Sequence, residues 1–389
     1  MLRRFGIMML LIVVGSIASL NIYAYTQPVQ TVISPVGNNK EIEKTHIETV
    51  TLIAAGDCLM HNTQIAAGLQ PDGSYRFDHF FTEVQDLIGE GDYSSTNFEA
   101  AMAGPASGYT GYPMFNSPDA AAKLFKNAGF DLVVSANNHC LDRGCQGALR
   151  TLDVLHQAGL DTVGTYKSQA DSKSFLIRDI RGVKVGYLAY TYGTNGIPVP
   201  AQYSFLVNFI DKSKIMADIK KLRPQVDILA LVLHWGLEYN PQPTPEQKVL
   251  AREFFEAGAD VILGSHPHVI QTMEVIKVAG QDKFVIYSMG NFVSHQIGQE
   301  RNSGIVLKMK FKKDFSNNKT TLEEVSYTPT FSQSYRENGK FQFRVVPVEE
   351  SIAKIKAGQE PHMGSDYLPV LQSVLASTRS QLGSNFVRQ

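Results

Sequence analysis

The sequence predicts an α/β fold in which helices flank an internal sheet. Short apolar runs that read as buried strands alternate with segments whose apolar residues recur at helical spacing. Glycine or proline marks most of the junctions between them. Alternation of strands and helices of these lengths is typical of layered α/β folds.

The first predicted elements are two strands with two helices between them. We predict strands over 50–55 and 130–135, and helices over 78–88 and from Ser117-Pro118 to Gly129. Proline at the first helical position and glycine just past the last one are the usual signals for the start and the end of a helix.

The middle of the chain repeats this pattern. We predict helices over 147–158, 213–222 and 244–257, and strands around 162–163 and over 175–180, 183–190, 227–233, 261–263 and 284–287. Arg181-Gly182 separates 175–180 from 183–190, which indicates a hairpin or two adjacent strands. Thr244-Pro245-Glu246-Gln247 fits a capping box, with threonine at the N-cap and glutamine three residues later.

The pattern changes after residue 300. Alternation of Ile305, Leu307, Met309 and Phe311 with lysines predicts a strand with one solvated face. We predict a turn at Asn317-Asn318, a strand over 341–348 and a helix over 368–382. We therefore divide this part of the chain into a main domain over 49–300, antiparallel strands over 301–350 that complete it, and a C-terminal helix and tail over 351–389.

The N-terminus, 1–25, reads as a membrane segment. Arg3 and Arg4 precede an uncharged apolar run that begins at Phe5 and is just long enough to span a hydrocarbon core. The arginines would stay in the cytoplasm, which predicts a single-pass protein of the cell membrane whose C-terminal domain is extracellular. A cleaved signal peptide is the alternative, although Ile22 is bulky for the position three residues before a cleavage site. Residues 26–48 read as a linker.

Composition excludes some classes of function. Lys+Arg 36 and Asp+Glu 37 give a net charge of −1, so no global field favours nucleic acid as a partner. Three cysteines, Cys58, Cys140 and Cys145, do not form a disulfide framework. Cys58 and Cys140 adjoin candidate metal ligands, where thiolate ligation or redox control is one interpretation and a small buried side chain is the favoured one.

Polar clusters follow the predicted strands. They are Gly56-Asp57-Cys58-Leu59-Met60-His61, Asn97-Phe98-Glu99, Asn137-Asn138-His139, His234-Trp235-Gly236 and His266-Pro267-His268. Strand ends are rigid platforms, so several of them bring side chains together at one edge of a sheet. A mixed set of imidazoles, an amide and carboxylates suits two divalent metals roughly 3.5–4 Å apart. Asp142, three residues after His139, is placed to hold that imidazole in one tautomer.

Each cluster taken alone also has an ordinary interpretation. Asp57 after a glycine suits an Asx-turn or a helix cap, and Asn137-Asn138 suits a turn that caps the next helix. His266 and His268 read equally well as a pair of surface histidines. The joint pattern favours the metal site, because six candidates at the strand ends of one domain are hard to obtain by accident. Two-metal centres generate hydroxide and stabilise a displaced group in the hydrolysis or transfer of phosphoesters and amides.

The same residues carry a resemblance to a known family. From about residue 50 to 292, the chain resembles the poly-gamma-glutamate capsule biosynthesis proteins of the CapA/PgsA type. The matching motifs are Gly56-Asp57, Asn97-Phe98-Glu99, Ala136-Asn137-Asn138-His139 with Asp142 and Gly144, His234-Trp235-Gly236 with Glu238-Tyr239, Gly264 with His266-Pro267-His268-Val269, and Tyr287-Ser288-Met289-Gly290-Asn291-Phe292. The resemblance implies a branch of the calcineurin-like metallophosphoesterases, a β-sandwich flanked by helices with a dinuclear site, and an N-terminal membrane anchor on a bacterial cell.

The resemblance also implies a role for each matching residue. The metal ligands would be Asp57, Glu99, Asn138, His234, His266 and His268, and His139 would be catalytic or orient the substrate. The chain lacks the Asp-x-His motif of other phosphoesterases, and His61 is the candidate for the missing imidazole. Glu99 stands where those enzymes use a bridging aspartate. We further predict substrate contacts by Asn97, Asn137, Glu238, Tyr239 and Asn291, and two bound divalent ions chosen from Mn, Fe, Zn and Mg.

Three functions are open at this point. The first is a membrane-anchored, metal-dependent enzyme that acts on an anionic cell-envelope polymer such as poly-gamma-glutamate. The second is a non-catalytic, polymer-binding member of a complex with membrane synthetase and export subunits. The third is an extracellular phosphoesterase without a capsule role. The resemblance favours capsule biosynthesis, whereas the residue chemistry alone favours hydrolysis of a phosphoester or a gamma-glutamyl amide.

Overall fold

Two β-sheets stack face to face in the computed structural model, which describes residues 46–383 and Phe386. The predicted membrane segment 1–25 and the linker residues 26–45 lie outside the described residues. Among the described helices, none has the length and apolar character needed to cross a bilayer.

The first sheet has eight strands and mixes parallel with antiparallel pairing. Its strands are β1 (Ile47–Cys58), β2 (Tyr93–Phe98), β3 (Leu132–Val134), β4 (Asp161–Val163), β11 (Asn291–Val293), β12 (Ser303–Asp314), β13 (Lys319–Glu337) and β14 (Lys340–Pro347). The order is β14-β13-β12-β1-β2-β3-β4, and the short β11 also pairs with β1. The run from β1 to β4 is parallel, and β12, β13 and β14 are antiparallel to their neighbours.

The second sheet has six strands. They are β5 (Leu176–Ile180), β6 (Val183–Thr191), β7 (Ile228–His234), β8 (Val261–Ser265), β9 (Met273–Val278) and β10 (Gln281–Ile286). Their order is β5-β6-β7-β8-β10-β9, with the four central strands parallel and an antiparallel strand at each edge.

Helices cover the outer faces of both sheets. The α-helices are α1 (Asn62–Gly68), α2 (Gln85–Gly89), α3 (Ala120–Ala128), α4 (Gly144–Gln157), α5 (Lys212–Leu222), α6 (Pro245–Ala257), α7 (Val348–Lys356) and α8 (Leu368–Leu382). Buried side chains of α2, α3 and α4 pack on the first sheet, and those of α5 and α6 pack on the second. The predicted α/β class is therefore observed as a four-layer sandwich in which two sheets lie between helices.

Both faces of the central strands are buried, which explains their continuous apolar sequences. On β7, alternate residues point into the core between the sheets (Ile228, Ala230 and Val232) and toward α5 and α6 (Leu229, Leu231 and Leu233). Full burial of one such leucine or isoleucine stabilises the fold by roughly 1.5–3 kcal/mol. The apolar run of β7 ends at His234, whose imidazole is also buried.

Several helix ends follow the sequence signals. Thr244 caps α6 through the expected box, with its hydroxyl accepting a hydrogen bond from the Gln247 amide. Gly129 ends α3 in the left-handed region, at φ 101°, and the predicted helix over 368–382 matches α8.

The single helix predicted over 78–88 is wrong. This segment forms two short 3-10 turns, Asp78–Phe80 and Thr82–Val84, and then α2. The backbone leaves the helical region at Phe81, where φ is −117° and ψ is 8°. The break directs the Phe81 ring toward Phe292 and the Phe80 ring toward Phe343. Packing of the two phenylalanine rings against the sheet therefore outweighs the preference for one continuous helix that the spacing of apolar residues over 78–88 indicates.

The sequence prediction did not include α1, β2 and β11, and it missed three further elements. The edge strand β9 and much of β13 carry many polar and half-exposed residues, so their apolar signal is weak. The third is α7, which follows β14 directly and packs with α8 through Ile352, Leu371 and Val374.

Candidate metal centre

The candidate ligands come from strand ends of both sheets. Asp57 lies near the end of β1 and Glu99 directly follows β2, whereas His234 ends β7 and His266 and His268 follow β8. All five side chains are buried. Because the two sheets face each other, these strand ends meet at one edge of the sandwich.

The backbone around Asp57 explains the glycine before it. The Asp57 amide donates to the Gly290 carbonyl at 2.9 Å, and Asp57 lies opposite Asn291 in the β1–β11 register. A Cβ atom on Gly56 would lie 2.0 Å from the Gly290 carbonyl oxygen. Only glycine allows β11 to approach this closely and to carry Asn291 beside Asp57.

Two groups of side chains are arranged to hold a metal ion. One comprises Asp57, Glu99 and His234, and the other comprises Glu99, His266 and His268. Within each group the potential ligand atoms all lie within 4.8 Å of one another. Glu99 belongs to both groups. Its Oε1 lies 3.7 Å from His234 Nε2 and 3.6 Å from His268 Nε2.

Unpaired polar atoms show that these residues suit a cation. Glu99 is fully buried, and neither of its carboxylate oxygens has a hydrogen-bond partner among the described residues. His266 Nδ1 is likewise buried and unpartnered in the described part of the chain. Burying a carboxylate that accepts no hydrogen bond costs several kcal/mol. A divalent ion between the two groups would remove that cost, so the donor set fits a metal.

Neighbouring polar groups orient two of the imidazoles. His234 Nδ1 lies 2.9 Å from Ser265 Oγ, and its Nε2 lies 2.6 Å from Asn138 Oδ1. His268 Nδ1 lies 3.0 Å from Asn291 Oδ1, so its Nε2 faces Glu99. A partner on one ring nitrogen fixes the tautomer and leaves the other nitrogen to bind a metal. Asn138 is placed to add a carbonyl oxygen to the His234 group.

The loop after β8 has an unusual backbone. His266 and His268 both have positive φ, 97° and 57°, on either side of Pro267. Such conformations are costly for residues other than glycine and often mark functional sites. The His266 amide also donates to Asp57 Oδ2 at 3.1 Å, which ties this loop to β1 across the two sheets.

Burial and charge together set the protonation of the metal-free site. Burial raises the pKa of Glu99 well above its ordinary value, lowers the pKa of His234 and lowers the pKa of His266 to about 3. Burial also opposes charge on His268, but the Glu99 and Asp57 carboxylates outweigh it and raise the pKa of His268 to about 9. The metal-free site therefore holds a proton near His268 and Glu99 at neutral pH, which a metal would displace.

A histidine–aspartate pair stands beside the two groups. His139 Nδ1 lies 2.7 Å from Asp142 Oδ2, and the same oxygen accepts from the Phe115 amide at 2.7 Å. Asp142 therefore holds the ring with Nδ1 as the donor, and Nε2 is the nitrogen left for chemistry. The side-chain nitrogen Nδ2 of Asn195 lies 3.4 Å from Nε2 of His139.

All three predicted substrate-binding asparagines contact protein atoms: Asn291 contacts His268, and Asn97 and Asn137 contact neighbouring strand ends. Asn97 Nδ2 donates to Asp57 Oδ1 at 2.8 Å, and Asn137 Nδ2 donates to the Phe98 carbonyl at 2.7 Å. Both side chains are buried. In this geometry they join the ends of neighbouring strands and hold Asp57 in place.

The remaining predicted site residues, His61, Glu238 and Tyr239, lie outside the two groups of potential metal ligands. His61 is the N-cap of α1, where its Nδ1 lies 3.2 Å from Gln64 Oε1 and 3.3 Å from the His295 amide, and it belongs to neither group. Glu238 is exposed, and Tyr239 is 40% exposed with its ring centroid 6.0 Å from that of His268.

Sequence reasoning missed Tyr192 and Asn195. Tyr192 is exposed, and its ring centroid lies 4.5 Å from that of His266. Asn195, with φ 50°, accepts from Asn138 Nδ2 at 3.2 Å. Both lie in the loop after β6. The signal was available, because Asn195-Gly196 is a turn pair shortly after an apolar strand.

The cysteines next to the site are not thiolates. Burial raises the pKa of Cys140 to about 12, and burial raises the pKa of Cys58 further. Cys58 Sγ contacts Thr96 Oγ1 at 3.2 Å. Both therefore act as small buried side chains.

Two curated relatives share the main part of this chain. The capsule biosynthesis protein CapA of Bacillus anthracis is 30% identical over 261 residues, 64% of this chain and 61% of that protein. The PGA biosynthesis protein CapA of Bacillus subtilis is 30% identical over 254 residues, 61% of this chain and 62% of that protein. The chain thus matches about three-fifths of the length of each relative.

Solved structures with a related arrangement are more distant. A Haemophilus influenzae NAD nucleotidase is 12% identical with a TM-score of 0.46, covering 86% of this chain and 60% of that protein. A putative 5'-nucleotidase from Staphylococcus aureus is 13% identical with a TM-score of 0.47, covering 85% of this chain and 58% of that protein.

The family model described as "Bacterial capsule synthesis protein PGA_cap" matches residues 51–296. This range contains both groups of candidate ligands, the His139–Asp142 pair and the loop after β6. The chain belongs to the bacterial capsule synthesis protein family.

Proposed function

We propose that this chain is a membrane-anchored, extracellular capsule biosynthesis protein whose dinuclear metal centre acts on an anionic cell-envelope polymer such as poly-gamma-glutamate. Family membership and the printed names of the two CapA relatives support the capsule role. The position of Glu99 is the main support for the metal centre. Its buried carboxylate accepts no hydrogen bond among the described residues and belongs to both groups of potential metal ligands.

The ligands divide between two ions that share Glu99. Asp57, His234 and Asn138 would hold one ion, and His266 and His268 would hold the other. Such a pair supplies an activated water and stabilises charge on the displaced group when it is bound. Mn, Fe, Zn and Mg are the candidates for both ions.

The protein's own contribution to the reaction is a proton donor. Asp142 accepts from Nδ1 of His139 and so aligns its ring. When the ring is doubly protonated, its Nε2–H would pass a proton to a leaving oxygen or nitrogen. Asn195 contacts both His139 and Asn138, and therefore couples the position of this donor to the metal groups. Hydrolysis or transfer of a phosphoester or a gamma-glutamyl amide is the reaction type that this arrangement supports.

Anchoring would place the reaction at the outer surface of the cell membrane, next to the growing polymer. The partners we propose are the membrane subunits that synthesise and export that polymer. Arg3, Arg4 and the apolar run after them support the anchor.

Metal analysis of the purified full-length protein tests the centre. We expect about two equivalents of metal in the natural protein and a large loss in the His266→Ala/His268→Ala variant, measured by elemental analysis. A matched variant of two exposed residues, Lys220→Ala/Lys221→Ala, controls for handling. Absence of bound metal, together with absence of uptake of Mn²⁺, Fe²⁺ or Zn²⁺, would refute the proposed centre.

A substrate assay under the metal that binds tests the reaction. Poly-gamma-glutamate of defined length is incubated with the loaded protein, and its length is followed by size-exclusion chromatography beside a phosphodiester substrate. Shortening or transfer of the polymer supports the capsule reaction. Turnover of the phosphodiester alone would instead favour an extracellular phosphoesterase.

A further inference from the structure

Arg301 is a cation beside the metal centre without an acidic partner. Its guanidinium carbon lies 3.7 Å from the centroid of the Tyr239 ring. Among the described residues, no carboxylate lies within ion-pair distance of this guanidinium. Most other half-buried arginines of the fold do have such partners, as Arg223 does with Asp260 and Arg150 with Asp119. The unpaired charge of Arg301 therefore calls for an explanation.

The Arg301–Tyr239 pair is attached to the metal centre on both sides. Asn291 Nδ2 donates to the Arg301 carbonyl at 2.6 Å, while Oδ1 of the same side chain lies 3.0 Å from His268 Nδ1. The Tyr239 amide donates to the Pro267 carbonyl at 2.8 Å. One asparagine thus positions both the His268 imidazole and the chain that bears the guanidinium.

A groove begins at the same tyrosine. It has a volume of about 280 Å³ and runs between Tyr239, Ser303 and the α8 residues Thr378 and Gln381. The groove gives a substrate room to continue beyond the metal centre.

We propose that Arg301, stacked on Tyr239, binds an acidic group of the substrate next to the reacting bond and so selects polymers whose units carry acids. The inference deepens the proposed function and rests on it. A guanidinium presents parallel N–H donors that match a carboxylate or a phosphate, and stacking on an aromatic ring holds its plane. Arg301 is then a specificity-determining residue for either acid.

Two exposed carboxylates lie close in sequence to Arg301 and Tyr239. Removing their negative charge should affect substrate binding in the opposite direction to removing the positive charge of Arg301. Glu238 and Glu300 are the sequence neighbours of Tyr239 and Arg301, and Glu300 lines the groove. Neither is paired with the guanidinium. Each repels an anion at this position, so removing the charge of Glu300 strengthens binding where removing that of Arg301 weakens it.

Binding of labelled poly-gamma-glutamate to the full-length protein tests the proposal, by fluorescence polarisation with metal content measured in parallel. We expect Arg301→Ala to weaken binding about tenfold or more, which is the usual effect of losing a charge-assisted hydrogen bond. Arg301→Lys restores part of the affinity, Glu300→Gln increases it, and the exposed Arg252→Ala on α6 leaves it unchanged. A second arm with inorganic polyphosphate shows whether the acid is a carboxylate or a phosphate.

Three results would overturn the proposal. Unchanged binding in Arg301→Ala is the first, and it would leave the proposed function intact if the natural protein still holds its metals and acts on the polymer. Loss of metal together with binding in Arg301→Ala is the second, since it would make Arg301 a support for Asn291 and His268. Failure of the natural protein to bind either polyanion is the third. Absence of metal from the natural protein would instead refute the proposed function, and the effect of Arg301 on binding would still be measurable.

Discussion

Glu99 Oε1 lies 3.6 Å from His268 Nε2, although the two residues follow strands of different sheets. Both side chains are buried. The Glu99 carboxylate raises the pKa of His268, whereas the charge of His268 opposes the rise that burial gives to the pKa of Glu99. The contact exists only because the two sheets are stacked in one register. It makes the candidate metal centre a property of the sandwich, which neither sheet provides alone.

Replacing the carboxylate of Glu99 tests whether this residue binds both proposed metal ions. We expect Glu99→Gln to lower metal affinity by at least about 100-fold, because loss of a residue that merely orients a ligand already costs about 10–100-fold. The increase in Tm that Mn²⁺ gives the natural protein should disappear, as followed by differential scanning calorimetry. Glu246→Gln, an exposed change in the first turn of α6, serves as the control. Two tightly held equivalents in Glu99→Gln would contradict the assignment.

Substitution of His61 tests whether this histidine is a metal ligand or only a neighbour of the metal centre. It belongs to neither group of potential ligand atoms, so we expect His61→Ala to retain the metals that His266→Ala loses. Elemental analysis of the two variants, purified side by side, is the measurement. If His61→Ala loses one of two equivalents, His61 is the additional imidazole that the sequence motifs suggested.

The His139–Asp142 pair should affect turnover and leave metal binding intact. We expect His139→Ala to lower kcat about 10²–10⁴-fold, the usual contribution of a general acid, and Asp142→Asn to lower it by disturbing the His139 tautomer. Metal content is the control in both variants. Full capsule formation in cells that carry His139→Ala would favour a non-catalytic, polymer-binding role.

Metal binding should release a proton. The pKa of His268 is raised to about 9, so the metal-free site is protonated at pH 7 and loses that proton only as pH rises through 9. Metal affinity should therefore increase about tenfold per pH unit from neutral pH up to about 9 and then level off. Isothermal titration calorimetry in buffers of different ionisation enthalpy counts the proton directly. Affinity that is constant between pH 7 and 9 would show that His268 is neutral before the metal binds.

Gly56 should tolerate no side chain. A Cβ atom there would lie 2.0 Å from a carbonyl oxygen of the paired strand, so we expect Gly56→Ala to lower the free energy of unfolding by about 1–3 kcal/mol or more. Gly89→Ala is the matched control, because nothing lies within 4 Å of the added atom. Urea denaturation of both variants gives the comparison. Equal stability of the two variants would mean that β11 moves away from β1 at no cost.

Local signals in the sequence determined the central strands and most helices. The apolar run of β7, the capping box of α6 and the glycine after α3 each lie within a few residues, and each is observed. The motifs at the strand ends were also visible in the sequence, together with the expectation that they bind metal, because polar residues that follow buried strands stand out against their surroundings.

Tertiary structure decided which of these residues meet. Glu99 contacts histidines of the other sheet, and Asn97 and Asn137 turn inward to hold strand ends. Tyr192, Asn195 and Arg301 join the site from loops and edges, where Asn195-Gly196 signals a turn but not a contact with the site. The break at Phe81 has the same origin, since its ring packs on Phe292 of β11. Periodicity and turn chemistry report on neighbours in the chain, whereas these contacts depend on how two sheets stack, and that stacking is set by the whole buried core.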